Sequence, residues 1–284
     1  MKKKLIALDM DGTLVSSKNE ISEVNKQAIK AAQDAGHIVM ICSGRPHDSL
    51  LITLNEAGFP GLPISGSNGA VTLIDGEIIH SAPMRSESAN KLYTWLDERE
   101  YPFKLYTDQG TYGPATFFKR ARYELTTNEP VSRPHFADIA TMEAYTSQFP
   151  ITYIKKLTDI PRNAKIFKYF VMTPNRSKKG VAQAFAKQIG GLMVTSSFED
   201  NVELSDAKAH KGTGLSTVAQ HFKIPMQETV AIGDNYNDSG MLEAAGLAIA
   251  MGNAEDGIKE IADIVTLTND ESGVAHAINQ YVLG

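Results

Sequence analysis

Lys4-Leu5-Ile6-Ala7-Leu8-Asp9-Met10-Asp11-Gly12-Thr13-Leu14 is the segment from which the architecture is read. After the lysine, its first residues form a short run that is apolar throughout. A strand buried on both faces of a parallel sheet has that pattern. Two carboxylates at i and i+2 then precede a Gly-Thr turn. Like charges so close together are costly unless a cation compensates them, and oxygen ligands at this spacing suit Mg²⁺. An Asx turn or a helix cap accounts for a single Asp of this kind, but poorly for the whole Asp-x-Asp-Gly-Thr sequence.

Downstream, a helix is expected over residues 22–34, with Ser22 as N-cap, Gly36 as its stop, and Val24, Ala28, Ile29, Ala31 and Ala32 on one side. His-Ile-Val-Met-Ile-Cys at 37–42 reads as a second apolar strand, and residues 47–57 as a second helix ended by Gly58. Strand, helix, strand, helix at this spacing predicts a right-handed βαβ sheet. Asp75-Gly76 between two β-prone runs, 70–74 and 77–80, predicts a hairpin.

The texture then changes. Eight of the 12 prolines fall within residues 83–206. Helices are expected there at 87–100, 142–148 and 177–189, and strands at 103–107, 166–173, 192–197 and 201–205. Residues 114–165 carry the weakest periodicity. After residue 205 the α/β rhythm returns, with helices at 212–222, 238–245, 255–262 and 271–281 and strands at 229–232, 247–250 and 264–267. The expected fold class is α/β: a doubly wound, mostly parallel Rossmann-like sheet built from 1–82 and 207–284, interrupted by an inserted α+β domain at 83–206.

Composition bounds the function. The chain has 284 residues, with 28 Lys+Arg against 33 Asp+Glu and a formal charge of −5. This balance argues against coating nucleic acid or an anionic membrane. Cys42 is the single cysteine, which excludes an intrachain disulfide and a cysteine-based zinc site; it reads as a small core residue. The seven histidines form no i,i+4 pair and no His-x-His, so a zinc phosphatase is poorly supported, and His47 reads as a surface histidine at a helix N-terminus. The four apolar residues between Lys4 and Asp9 fall short of the ~7–15 of a signal peptide, and no run approaches the ~18 of a membrane span. A cytoplasmic protein is expected; the sequence specifies no oligomeric state.

Three further clusters sit where strands give way to loops, the position at which open α/β sheets bind ligands. Ser43-Gly44-Arg45 offers a hydroxyl and a bare backbone N–H to a phosphate oxygen, or else makes an ordinary turn. Arg45 suits a phosphate contact and a surface ion pair equally. In His210-Lys211-Gly212, a lysine at a helix start opposes the helix dipole; it is either a solvated lysine or one directed at phosphate. Gly233-Asp234-Asn235-Tyr236-Asn237-Asp238 ends an apolar strand in an acid, as Asp9 does, although Asp238 also suits a capping role. Carboxylates around one Mg²⁺, with a lysine and a hydroxyl nearby, fit phosphoryl transfer.

These four motifs, in this order, resemble the haloacid dehalogenase superfamily of aspartate-nucleophile phosphatases. Ser67-Asn68-Gly69-Ala70, Met251-Gly252-Asn253-Ala254 and Asn269-Asp270-Glu271-Ser272-Gly273-Val274 resemble its Cof-type branch, which carries a large α/β cap between the second and third motifs. The resemblance implies a Mg²⁺-dependent phosphatase of small phosphorylated metabolites, foremost sugar phosphates. In it Asp9 is the nucleophile, and Asp11 is the general acid and then the base. Asp9, Asp234 and the backbone carbonyl of Asp11 hold the metal, with Asp238 orienting the metal site from behind. The Met10 amide, Ser43, Gly44, Lys211 and Asn237 grip the phosphate. The presence of Asp11 favours an oxygen leaving group that needs a proton. A phosphomutase of hexose phosphates, using cations such as Arg120, Arg122, Arg133, Lys155, Lys156 and Lys168 for a second phosphate, is one alternative. A non-catalytic phosphometabolite-binding module is another, although it has no need of both Asp9 and Asp11.

Overall fold

The computed structural model describes residues 2–126, 138–147 and 150–284. In chain order the first elements are β1 (Leu5–Leu8), α1 (Glu23–Asp34), β2 (Ile38–Cys42), α2 (His47–Glu56), β3 (Ile64–Gly66), β4 (Val71–Ile74) and β5 (Glu77–Ser81). Next come α3 (Ser86–Glu98), β6 (Phe103–Thr107), β7 (Gly110–Pro114), α4 (Phe117–Leu125), α5 (Ile139–Ser147), β8 (Ile151–Ile154), β9 (Ile166–Met172), α6 (Arg176–Ile189), β10 (Leu192–Thr195) and β11 (Asn201–Asp206). The chain then runs through α7 (Lys211–His221), β12 (Thr229–Gly233), α8 (Ser239–Ala244), β13 (Leu247–Ala250), α9 (Asp256–Ile261), β14 (Ile264–Val265) and α10 (Gly273–Ile278). It divides into two compact units, Met1–Ser81 with Ala209–Gly284, and Ala82–Lys208.

The first unit holds an eight-stranded sheet in the order β14-β13-β12-β1-β2-β3-β4-β5. It is parallel from β14 to β3 and closes with two antiparallel strands. β1 and β12 are buried along their whole length, as strands covered on both faces must be. Ser22 caps α1 by accepting the Asn25 N–H at 3.2 Å. The buried side of α1 differs from expectation. Val24 and Ala31 are exposed, and Asn25 points inward, where its amide donates to the Leu14 carbonyl (3.4 Å) and accepts from the Ala275 N–H (2.9 Å). A polar side chain is tolerated in that buried position because both ends of its amide are satisfied. Asp75 and Gly76, at φ 51° and 81°, turn β4 into β5 with the left-handed pair that a tight hairpin requires.

The second unit holds a six-stranded sheet, β10-β11-β9-β6-β7-β8, antiparallel except between β7 and β8. Phe103, Leu105, Tyr169, Val171, Val202 and Leu204 line one face and pack with Leu92 and Leu96 of α3 and Ala182 and Ala186 of α6. On the opposite face, Phe170 and Met172 pack with Phe117 and Ala121 of α4 and Met142 of α5. That face also carries a buried ion pair, Lys168 Nζ to Glu203 Oε1 at 3.1 Å.

Several elements depart from the sequence reading. β3, three residues long, carries no periodic signal. β7 (Gly110–Pro114) was not expected, α4 and β8 lie in the region of weakest periodicity, and residue 148 of the helix expected at 142–148 lies outside the described residues. β10 stops at Thr195 because Ser196 and Ser197 turn their hydroxyls to Asn201 and Glu203. The last helix starts at Gly273 rather than 271, since Ser272 at φ 59° breaks the helical path. Among the described residues no helix is long and apolar enough to cross a membrane.

Candidate functional site

β2, β1 and β12 lie side by side and parallel, with Leu8 level with Ile41 and with Ile232. The residues that follow them, Ser43, Asp9 and Asp234, therefore leave one edge of the sheet together. Asp9 continues the ladder by donating its N–H to the Ile232 carbonyl at 3.0 Å. The chain then coils back on itself, with the N–H of Leu14 on the Asp9 carbonyl (3.3 Å) and that of Val15 on the Met10 carbonyl (2.9 Å). Gly12, at φ 83°, makes this coil possible. A Cβ there would lie 2.4 Å from Asp234 Oδ2, so only glycine lets the first loop close against the fourth. Thr13 donates its hydroxyl to Asp234 Oδ1 at 2.7 Å, tying the same two loops together.

Lys211 opens α7 and is fully buried, its Nζ donating to Asp9 Oδ1 and to Asp238 Oδ1. It is not a solvated lysine. Asp238 is fully buried as well, and both its oxygens are engaged: Oδ1 accepts from Lys211, and Oδ2 accepts the N–H groups of Asp234 and Asn235, each at 2.9 Å. Asp238 therefore folds the fourth loop, as the capping reading has it, and also anchors the lysine.

Ligand oxygens of Asp9, Asp234 and Asp238 lie within 4.8 Å of one another, the group among the described residues suited to a metal ion. When all three carboxylates are ionised, the single ammonium of Lys211 leaves two uncompensated negative charges in a buried pocket. Burial, then repulsion from Asp238, pushes the Asp9 carboxyl well above its usual range despite Lys211. The same causes raise Asp234 to about 7. Burial works against the Lys211 ammonium, but Asp238 and Asp9 outweigh it and hold its pKa above the ordinary lysine value. An all-oxygen donor set short of two positive charges fits a hard divalent cation.

The Asp11 carboxylate stands apart from that group. It takes a two-pronged contact from Arg45, Nε to Oδ2 at 2.8 Å and Nη2 to Oδ1 at 2.5 Å. Arg45 is thus in an ion pair, as one of the two readings had it, but as a buried guanidinium on a half-buried carboxylate rather than at the surface. Ser43 Oγ accepts the Arg45 N–H at 3.1 Å, and the Ser43 and Arg45 carbonyls accept from Asn68 and Ser67. Met10 and Ser43 are buried, and Gly44, next to Ser43 in the chain, is half-buried. Asn237 donates its amide to Asn68 Oδ1 at 3.3 Å, so the donor assigned to phosphate is engaged by a neighbour here. Cys42 is a core residue whose thiol burial pushes up to about 12. His47 is buried rather than on the surface, because α2 packs against β3.

Thr13, Arg45, Asn68 and Asn253 were given no definite role by the sequence. Asn253 donates to the Gly12 carbonyl at 2.8 Å, and Asn269 donates its N–H to Asn253 Oδ1 and its side-chain amide to the Val15 carbonyl, each at 2.9 Å. The Met-Gly-Asn-Ala and Asn-Asp-Glu-Ser phrases therefore brace the loop after β1. Their asparagines, set among small residues after strands, were the available signal.

A profile of the haloacid dehalogenase-like hydrolase family matches residues 6–278. The chain is 34% identical over 280 residues to the phosphatase YwpJ of Bacillus subtilis, covering 96% of this chain and 98% of that one. It is 33% identical to the 5-amino-6-(5-phospho-D-ribitylamino)uracil phosphatase YwtE of the same organism, covering 99% of each. A solved haloacid dehalogenase-like hydrolase from B. subtilis superposes with a TM-score of 0.86 at 33% identity, over 98% of this chain and all of that one.

Proposed function

Since the chain belongs to the haloacid dehalogenase-like hydrolases of the Cof type, and so is a phosphatase of small phosphorylated metabolites, we propose that it hydrolyses sugar phosphates with Mg²⁺, through an aspartyl-phosphate on Asp9. One observation carries this reading: the buried group of Asp9, Asp234, Asp238 and Lys211, two positive charges short of neutrality. Asp9, Asp234 and the Asp11 carbonyl would hold Mg²⁺, which supplies charge neutralisation for the phosphoryl oxygens.

In the first step an Asp9 oxygen bonds to phosphorus, the bond from phosphorus to the alcohol oxygen breaks, and Asp11 gives that oxygen its proton. In the second, Asp11, now a carboxylate, takes a proton from water as the water oxygen bonds to phosphorus and the Asp9–phosphorus bond breaks. Phosphate leaves and both acids return to their starting states. The two-pronged Arg45 contact holds the Asp11 carboxyl group at a fixed place. Lys211 opposes the rise in the Asp9 pKa, and with a divalent cation bound would favour its nucleophilic carboxylate; it remains beside the phosphoryl oxygens with Ser43, the Met10 and Gly44 amides and Asn237. We assign substrate selection to residues 83–206.

A relative that acts on a phosphoribityl compound and another, from Escherichia coli, named a pyridoxal phosphate phosphatase both fit alcohol leaving groups. The mutase alternative finds less support. Of its candidate cations, Lys168 is paired with Glu203 and Arg120 with Asp97, while Arg133 lies outside the described residues. Phosphate release from an aryl phosphate is expected to require Mg²⁺ and to disappear in Asp9→Asn; undiminished turnover by that variant would refute the assignment. Screening phosphorylated metabolites for free phosphate, with no isomerised ester, tests the substrate class.

A further inference from the structure

Three residues in succession take the left-handed backbone: Ser67, Asn68 and Gly69, at φ 52°, 59° and 89°. Serine in that region is unfavourable, asparagine tolerates it and glycine is at ease. A run of this kind persists only where its surroundings hold it, and here three of the four motif loops do so. The Ser67 N–H donates to the Arg45 carbonyl at 2.8 Å and the Asn68 N–H to the Ser43 carbonyl at 3.0 Å, both in the loop after β2. Gly69 abuts His210, the residue before Lys211; a Cβ on Gly69 would lie 2.1 Å from the His210 carbonyl oxygen. Asn68 Oδ1 accepts from Asn237 in the loop after β12 at 3.3 Å. Asn68 is itself buried, and Asn237 Oδ1 is a buried acceptor with no partner among the described residues. Among the described residues, Asn68 is thus the side chain that orients the Asn237 amide.

We propose that Asn68 is a positioning residue for the phosphate-gripping loops: it places Ser43 through its backbone N–H and Asn237 through its side-chain carbonyl. This rests on the phosphatase reading above. The strained turn is the means of bringing the two loops into one register, because a right-handed path would aim the N–H and the side chain of residue 68 elsewhere.

The left-handed backbone supplies the test. Asn68→Gly keeps the backbone path at lower strain and keeps the N–H, but removes the side-chain contact. Its melting temperature is expected to equal or exceed that of the wild type, while kcat/KM for an aryl phosphate falls about three- to tenfold, the range for one lost hydrogen bond. Inhibition by inorganic phosphate should weaken by a similar factor. Asn237→Ala should give a comparable loss, and the double variant should be no worse than the weaker single. Asn68→Ala, which cannot relax in the left-handed region, should lose both stability and activity. Wild-type kcat/KM in Asn68→Gly, or losses that multiply in the double variant, would overturn the proposal. Retained turnover in Asp9→Asn would instead overturn the phosphatase reading, so the two failures are distinguishable.

Discussion

Asp234→Asn is expected to make the metal-free protein more stable while abolishing its metal-dependent activity. Asp234 is nine-tenths buried, and burial together with Asp238 raises its carboxyl from 3.8 to about 7. A gap of about three pH units at about 1.4 kcal/mol each amounts to about 4 kcal/mol of destabilisation, shared with Asp9. The sign follows from the raised value. Below the unfolded value near 4 the carboxyl is protonated in both states and imposes no penalty. The penalty grows as pH rises from there and is complete above about 7. Asparagine keeps the hydrogen bond from Thr13, seen at 2.7 Å to Oδ1, and removes the charge. Thermal unfolding in chelator should therefore show wild type losing stability between pH 4 and pH 8 relative to the variant. At about 2–4 °C per kcal/mol for a chain of this size, the difference at pH 8 has a ceiling of roughly 8–16 °C. Saturating Mg²⁺ should raise the melting temperature of wild type, since a ligand bound only to the folded state stabilises it, and should raise that of the variant far less. A variant less stable than wild type at pH 8 in chelator, or equally stabilised by Mg²⁺, would refute the idea that uncompensated charge is stored at this site.

Two further outcomes test the architecture. Gly12→Ala should abolish activity and destabilise the fold, because its Cβ would meet Asp234 Oδ2 at 2.4 Å on a left-handed backbone; a fully active variant by phosphate-release assay would contradict the tight closure of the two loops. Lys168→Met should destabilise the second unit by about 3–5 kcal/mol in urea denaturation, since it leaves Glu203 as a buried carboxylate without its cation; an unchanged midpoint would mean that Ser197 and Asn201 satisfy Glu203 by themselves.

The parts of the fold legible in the sequence are those whose burial is repeated along one element. β1, β2, β12 and β13 read as continuous apolar runs because both faces of each are covered. α6 reads through its periodicity, and the hairpin at Asp75-Gly76 through the chemistry of its turn. β3, β7 and β8 were illegible because their pairing depends on distant strands rather than on their own composition. On α1, Asn25 is buried where periodicity gave no signal, because the Leu14 carbonyl and the Ala275 N–H, the latter 250 positions away, satisfy its amide.

The site divides in the same way. Short-range order marked Asp9, Asp11 and Asp234 at strand ends, left Ser43, Lys211 and Asp238 with an ordinary reading beside the phosphate or metal one, and only the family resemblance joined all six into one set. What those side chains do to one another was left to the tertiary structure. Arg45 reaches across 34 positions to Asp11, Lys211 across 202 to Asp9, and Thr13 across 221 to Asp234. Sequence determines which charges the chain carries and which strand ends present them. Only the packing of parallel strands decides which charges share a dry pocket, and burial there converts ordinary carboxylates into a site two positive charges short.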